Sequence, residues 1–396
     1  MRTALIFREI VTGVKNRLPV LPRSAFRGVF ASPVLGGMLC VMVMLAPPLA
    51  AREVCSTPQF GVQNISIDQR AATATEAQTM GVRAAAETGF AVVINRLLHD
   101  EAQARDFIAS HDLDEFTDFV YIAEENSLEG RYIALLDFCF DARRLRAALK
   151  KAGLQWAELP SPEILVLPVW QAPEGARAWR QDNEWLTGWR DAVASATGLV
   201  SFTLLAPTIT NERNLRAEDL AIADPDTLTR AAKIAKAKQV LLVIAQLDYQ
   251  GAKRVLTVSG QLLSNQGKGL TQLGRMVNVP IEDDLSLQLG KARDKIIQEV
   301  EAGWHAANLI SGMETLDVTL QIPLSSLSQW SERLAVLDDI AVINSYKIRI
   351  LKVNQALVTI SLSGSVAALQ NALASHGLNV AIPQDGDNIL RLVTLD

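Results

Sequence analysis

The sequence predicts a mixed α/β protein of the α+β class, built from serial small α/β units and ending in a ferredoxin-like βαββαβ domain. Hydrophobic residues make up 49% of the 396 residues and charged residues 20%, proportions that are typical of globular proteins. Segments with the two-residue period of strands alternate with segments that repeat apolar residues every three or four positions, as helices do. Because the two kinds of segment are interleaved, helices and sheets are expected to pack together in each unit.

The first 51 residues have the composition of an export leader. They contain six basic residues and one acidic residue, and no charged residue occurs from Gly28 to Ala51. A basic start, an apolar centre and a small-residue end are typical of a secretory signal peptide. The alternative is an uncleaved N-terminal membrane anchor, because these 24 uncharged residues are long enough to span a bilayer core of about 30 Å. In either case the rest of the chain is expected outside the cytosol.

Residues 52–160 form the first predicted folded unit, an N-terminal α+β domain. An extended stretch comes before a long helix at 73–98, whose apolar residues recur at three- and four-residue spacings. Asp141 and Gly153 supply the start and stop signals of the last helix in this unit. The expected order is strand, helix, helix, strand, strand and helix, at 61–67, 73–98, 101–110, 118–124, 131–140 and 141–152.

Residues 161–310 form the second predicted unit, a mixed α/β domain. Pro160, Ser161 and Pro162 separate it from the first unit, because prolines interrupt helices and strand ladders alike. The uninterrupted apolar run at 164–170 is typical of a strand that is covered on both faces. A helix, a strand, a helix, a strand, a hairpin and a long helix are then expected at 176–197, 199–206, 225–238, 240–247, 254–279 and 283–306.

Residues 311–396 have the clearest periodicity and form the third predicted unit. A strand, a helix, two strands and a helix are expected at 316–322, 325–336, 341–351, 355–362 and 365–376. Either 378–382 or 389–395 returns as the last strand. This order is the ferredoxin-like split motif. Folds of this type host many functions, so the architecture alone does not identify an activity.

The charge of the chain argues against a nucleic-acid partner. The whole sequence has 38 basic and 43 acidic residues, and removing the leader leaves 32 basic and 42 acidic residues. A body with a net charge of about −10 repels polyanions, whereas nucleic-acid binding depends on phosphate neutralisation by basic side chains. No nucleic acid is therefore expected among the partners, and a membrane is expected only through an uncleaved N-terminal segment.

Cys55 and Cys139 are the two cysteines outside the leader. A lone pair of cysteines in an oxidising compartment is a candidate disulfide. The alternative is that each is a free cysteine that packs as a small buried apolar residue. The sequence is compatible with both.

Tryptophan is concentrated in one part of the chain, where five of the seven tryptophans fall between Trp156 and Trp189. Trp179, Trp185 and Trp189 are a candidate interaction surface, because tryptophan is enriched in the residues that dominate binding interfaces. The alternative is that they pack in the interior between units.

No set of residues in the sequence has the spacing of a catalytic, cofactor-binding or metal site. None of the four histidines has another histidine four residues away, as a helical metal pair would. The acidic cluster of Asp112, Asp114, Glu115 and Asp118 has the composition of a solvated turn. A hydrolase would need two carboxylates held face to face with separated pKa values. The expectation is therefore a protein that is not an enzyme and carries no cofactor.

One stretch combines a strand with an aromatic-Asp end, a leucine-spaced helix, a Gly-containing turn with a tryptophan, and a short apolar strand. These features lie at Phe140, Asp141, Leu145, Leu149, Gly153, Trp156 and 164–167. They resemble an uncharacterised proteobacterial envelope family known as domain of unknown function 2066, and the resemblance covers roughly residues 53–250. The chain departs from the family at Gln155, where proline is usual, and at Glu163. The resemblance implies an envelope protein and supplies no catalytic residue.

The leading functional hypothesis is a non-enzymatic periplasmic accessory or assembly protein that binds other envelope proteins. Its expected location is the periplasm, or the inner membrane with a periplasmic body if the leader is retained. Two alternatives belong to other functional classes. One is a hydrolase of cell-wall or lipid substrates with dispersed carboxylates, and the other is a small-ligand sensor that uses the C-terminal domain.

Overall fold

The structure is a computed structural model that describes residues 55–180, 183–264, 270–281, 284–381 and 389–394. The predicted leader at 1–51 lies outside these residues. Helices and strands are both abundant in the described part of the chain, which confirms the predicted α+β class. Within the described residues, no helix is long and apolar enough to cross a membrane.

The N-terminal region forms an antiparallel sheet with helices on one face. Its elements are β1 (Gly61–Arg70), α1 (Ala74–Leu98), α2 (Glu101–Ser110), β2 (Thr117–Leu128), β3 (Arg131–Phe140) and α3 (Ala142–Lys151). The strand order is β1-β3-β2, so β2 is an outer edge. Gly89 lets α1 approach the sheet closely, because a Cβ atom there would lie only 2.7 Å from a methyl carbon of Val62. Asp141 caps α3 by accepting hydrogen bonds from the next backbone N–H groups, as its sequence position predicts.

The central region forms a six-stranded mixed sheet. Its elements are β5 (Ile164–Ala172), β6 (Gly175–Arg177), α4 (Glu184–Ser195), β7 (Phe202–Leu204), α5 (Ile209–Asn214), α6 (Ala217–Ala221), α7 (Pro225–Ala235), β8 (Gln239–Gln250), β9 (Lys253–Ser264), β10 (Leu270–Pro280) and α8 (Leu285–Ala307). The order is β10-β9-β8-β5-β6, and β7 also pairs with β5. Strand β5 is parallel to β7 and β8. Successive residues of β5 pack alternately into two separate apolar cores, one on each face of the sheet, as the uninterrupted apolar run predicts.

The helix predicted at 176–197 is shorter than expected. Ala176 and Arg177 pair with β5 as part of a strand, and the helix α4 begins only at Glu184. The side chain of Asn183 determines this start, because its Oδ1 atom accepts hydrogen bonds from the backbone N–H groups of Trp185 and Leu186.

The C-terminal region forms a five-stranded sheet. Its elements are β12 (Leu316–Pro323), α9 (Leu327–Asp339), β13 (Ile343–Lys352), β14 (Gln355–Leu362), α10 (Val366–Ser375), β15 (Leu378–Ala381) and β16 (Ile389–Thr394). The sheet order is β13-β14-β12-β16-β15. The strands and helices follow the predicted βαββαβ order, but both candidate last segments become strands. The final strand, β16, lies parallel to β12 and separates it from β15. Leu390 and Leu392 of β16 are buried in the core, which explains its inner position.

A two-stranded sheet pairs the segment just before the central region with the segment just after it. Its strands are β4 (Gln155–Trp156) and β11 (Ile310–Ser311), which pair antiparallel. One apolar core runs through this connection, and it contains residues of both the N-terminal and the C-terminal sheets. The described residues accordingly cluster as one compact unit. The boundaries predicted near 160 and 310 stay predictions.

Candidate functional site

A cavity of about 700 Å³ lies between α1, α8 and the segment that follows α4. We call it the α1–α8 groove, and its lining includes Arg96, His99, Gly198, Glu301, Trp304 and His305. Its size falls in the range of cavities that bind ligands or partner side chains. Perturbed ionisable groups that converge in a cleft are typical of functional sites, and this groove contains three of them.

The guanidinium of Arg96 fixes one wall of the groove. It donates hydrogen bonds to the carbonyl oxygens of Gln59 at 2.9 Å, Gly61 at 2.8 Å, and Thr197. Burial lowers the pKa of Arg96, but a guanidinium remains protonated in proteins. Arg96 therefore ties the start of the N-terminal sheet to the segment after α4 and holds a positive charge in the wall.

Glu301 of α8 is half-buried and places its carboxylate against Gly198. A Cβ atom at position 198 would collide with a carboxylate oxygen of Glu301, so a larger residue there would displace the carboxylate from its present position. Burial raises the pKa of the Glu301 carboxyl, and the nearby His99 lowers it to a smaller degree. No hydrogen bond within the described residues satisfies this carboxylate. A protein partner or ligand that donates hydrogen bonds would stabilise it.

Two histidines lie beside Glu301, and their ring centroids are 5.5 Å apart. His99 ends α1 in a left-handed backbone conformation with φ of 52°. His305 is buried, and its Nε2 atom lies 2.6 Å from the carbonyl oxygen of Leu97. Because a carbonyl can only accept, Nε2 of His305 carries the proton. Burial lowers the pKa of His305, so the neutral form is favoured in the folded chain.

Replacing His305 with glutamine is expected to reduce the loss of stability in mild acid. The folded-state pKa of His305 lies below the ordinary value of 6.5, so stability is present above 6.5 and is lost as the pH falls through the lower, folded-state pKa. The measurement is the urea midpoint of both chains at about pH 7.5 and pH 5.5, a range chosen around the ordinary histidine pKa. His305→Gln should shrink the difference between the two midpoints.

Glu301 acts in the opposite direction, because a raised carboxyl pKa favours the folded chain at lower pH. It is present in both chains, so its effect cancels in the comparison. An unchanged midpoint difference in His305→Gln would contradict the assignment of the acid sensitivity to His305.

A second cavity, of about 290 Å³, lies where the N-terminal and C-terminal sheets meet. Glu158 is 3% exposed and accepts hydrogen bonds from the guanidinium of Arg146 and from Nε1 of Trp156. The Arg146 guanidinium also lies 5.1 Å above the ring of Phe60. The opposite wall of this second cavity comes from α9, α10 and the residues next to them. His376 lies on this wall, and its Nε2 atom is 3.6 Å from Oδ2 of Asp339.

Glu158→Gln is expected to lower the free energy of unfolding by about 2–3 kcal/mol. The substitution leaves the Arg146 charge without its counter-charge, and the loss is below that of a fully buried pair because the Arg146 side chain is 34% exposed. Urea unfolding measures the loss. The matched control is Glu218→Gln, which breaks an exposed pair with Arg216 and should cost less than about 1 kcal/mol. Equal losses in the two variants would contradict the structural role of Glu158.

The structure joins Cys55 to Cys139 in a disulfide across a sequence separation of 84 residues, with the Cα atoms 5.7 Å apart. This Cα separation is within the usual range for disulfides. Cys139 lies opposite Gly61 in the β1–β3 ladder, and the bond fixes the segment that enters β1. That same segment carries the Gln59 and Gly61 carbonyls that hold Arg96. The disulfide is therefore structurally linked to the α1–α8 groove.

The interaction surface predicted at the tryptophans is wrong for two of them. Trp185 is 1% exposed and Trp189 is fully buried, and their rings meet edge to face at 5.7 Å. The helix α4 turns both rings into the core between the sheet and α8, because they share one helix face. Trp179 is half-buried and donates from Nε1 to the carbonyl of Leu215 at 2.8 Å.

Two members of the acidic cluster, Asp112 and Asp114, contact the guanidinium of Arg83. Arg83 of α1 lies 3.0 Å from a carboxylate oxygen of Asp114 and 3.9 Å from one of Asp112. Asp112 also accepts a hydrogen bond from the backbone N–H of Asp114. These contacts occupy the two carboxylates with Arg83, and the hydrolase alternative stays a prediction. Within the described residues, no group of three or more potential ligands is arranged to hold a metal ion.

Sequence reasoning did not find Arg96 and Glu301. They lie far apart in the chain, and each resembles an ordinary charged residue on a helix surface. The close approach of Glu301 depends on Gly198, and only the fold shows that these two positions meet. His99 directly follows the helix predicted at 73–98 and His305 lies at the end of the helix predicted at 283–306, but the sequence does not show that the two rings meet.

No family model matches the chain, and no curated protein matches it either. The resemblance to domain of unknown function 2066 therefore stays a prediction. One similar solved structure is that of the lipoprotein GNA1162 from Neisseria meningitidis, with 19% identity and a TM-score of 0.20. The match covers 36% of this chain and 98% of that one.

Proposed function

We propose that this protein is an exported envelope protein that acts by binding other envelope proteins, in the periplasm or tethered to the inner membrane. Two independent features support export. The first 51 residues have the composition of a leader. Cys55 and Cys139 are positioned to form a disulfide, and such bonds persist outside the reducing cytosol.

The observation that carries the binding part of this proposal is the half-buried Glu301 carboxylate in the α1–α8 groove. A carboxylate that loses hydration without gaining a hydrogen bond costs free energy, which a bound partner with N–H or O–H donors recovers. One wall of the groove is held in place before a partner binds, because the guanidinium of Arg96 donates hydrogen bonds to three carbonyl groups. The groove also offers Trp304, whose indole Nε1 is anchored on the carbonyl of Leu159.

Site-specific photocrosslinking in the source cells tests this proposal. A benzophenone amino acid at Thr88, an exposed lining residue of the groove, should yield a reproducible adduct with one envelope protein. The same group at Lys233, which is exposed on α7, is the control and should not yield that adduct. Glu301→Arg should abolish the Thr88 adduct. Adducts that form equally at both positions, or none at Thr88, would contradict the proposal.

The cavity beside Arg146 and Glu158 favours a second candidate, a sensor of small ligands. Its walls come from the N-terminal region and from α9 and α10 of the C-terminal region, so a bound ligand would link the two sheets. A screen of the full chain for ligand-dependent thermal shifts tests this candidate. Substituting Ala372 on the cavity wall with phenylalanine should remove any shift that arises there, and a shift that survives would contradict this location.

A further inference from the structure

Strand β2 is an exposed acidic edge. It lies at the outside of the β1-β3-β2 sheet, so one side of its 12-residue backbone has no partner strand within the described residues. The charged residues of β2 are all acidic: Asp118, Glu124 and Glu125. Its exposed apolar side chains are Phe119 (49%), Ile122 (38%) and Leu128 (51%).

Strand β13 is an exposed edge of the opposite charge. It lies at the outside of the C-terminal sheet and is 10 residues long. The charged residues of β13 are all basic: Lys347, Arg349 and Lys352. Its exposed apolar side chains are Ile348 (44%), Ile350 (44%) and Leu351 (52%). A basic strand stands out in a chain whose body is acidic.

The charges of both edges lack an oppositely charged partner among the described residues. In the described part of the protein, none of the six charged side chains on β2 and β13 forms a salt bridge. Arg349 donates to the hydroxyl of Thr359, and Glu125 accepts from the hydroxyl of Tyr132. Charged side chains on an edge strand normally prevent pairing with other sheets. That protection fails against an edge of opposite charge.

We infer that copies of this chain associate through these two edges, with β13 of one copy adding to β2 of another as a continuing strand. Backbone hydrogen bonds in the regular stretches between the bulges of the two strands, which are each at most about 30 Å long, would supply the contact. Pairing of β2 with β2 or of β13 with β13 would place like charges together, which disfavours it. The interface is therefore between two different surfaces of identical chains. It does not involve the α1–α8 groove and is independent of the function proposed above.

Analytical ultracentrifugation of the purified protein tests this inference. The wild-type protein should self-associate at micromolar concentrations, and higher salt should weaken the association because the edge charges are exposed. A β13-reversed variant (Lys347→Glu, Arg349→Glu, Lys352→Glu) should raise the dissociation constant on the order of tenfold or more. A β2-reversed variant (Asp118→Lys, Glu124→Lys, Glu125→Lys) should do the same.

Mixing the variants separates a lost interface from a lost fold. The β2-reversed variant has two basic edges and the β13-reversed variant has two acidic edges, so the mixture should associate although each variant alone does not. The matched control is Lys291→Glu with Lys295→Glu, two exposed positions on α8 that should leave association unchanged. A monomeric wild-type protein at all concentrations, or a mixture that stays monomeric, would overturn the inference.

Discussion

Replacing Cys139 with serine is expected to lower the free energy of unfolding by about 4 kcal/mol. The disulfide to Cys55 closes a loop across a sequence separation of 84 residues, and opening it restores conformational entropy to the unfolded chain. The native contacts of the bond are also lost, because Cys139 is buried in the central strand of the N-terminal sheet. Urea unfolding under non-reducing conditions measures the difference.

The double variant Cys55→Ser with Cys139→Ser is the control for this prediction. It should lose no more stability than the single variant, because the same bond is missing in both. Reduced wild-type protein should unfold at nearly the same urea concentration as the single variant. Coincident midpoints for oxidised wild type and Cys139→Ser would contradict a stabilising disulfide.

Trp185→Ala is expected to cost about 4 kcal/mol, because it removes a fully enclosed indole from the core between α4, the six-stranded sheet and α8. The ring contacts Trp189 edge to face, and its Nε1 atom donates a hydrogen bond to the carbonyl of Val243 at 3.0 Å. The substitution therefore loses packing and a buried hydrogen bond together. The same unfolding measurement gives the loss.

Phenylalanine variants of the two tryptophans separate these contributions. Trp185→Phe keeps much of the ring and loses the bond to Val243, so it should cost about 1–2 kcal/mol beyond the packing change. Trp189→Phe has no such bond to lose, because Nε1 of Trp189 is buried without a hydrogen-bond partner within the described residues. A larger loss in Trp189→Phe than in Trp185→Phe would contradict this account of the two rings.

Local patterns were sufficient to predict most elements of the described chain. The helix α1 follows the three- and four-residue spacing of its apolar residues, and α3 starts at the predicted cap, Asp141. Strand β5 has the uninterrupted apolar run of a strand covered on both faces. These features depend on neighbouring residues, so a single sequence contains them.

Long-range pairing could not be predicted in the same way. The place of β16 between β12 and β15 depends on which of two similar apolar segments pairs with β12, and both have suitable alternation. Trp185 and Trp189 have the composition of an interface, but burial depends on which side of α4 meets the sheet. The proximity of Arg96 and Glu301 could not be predicted from the sequence either, because it depends on how α1 and α8 pack in the folded chain.

We propose that the chain is exported to an oxidising compartment, and the redox state of its cysteines in cells tests this export most directly. Intact cells are treated with a thiol-alkylating reagent before lysis and fractionation, and the peptides of the chain are then analysed by mass spectrometry without reduction. We expect linked, unalkylated peptides containing Cys55 and Cys139 in the envelope fraction. Alkylation of both cysteines in a cytosolic fraction would contradict it.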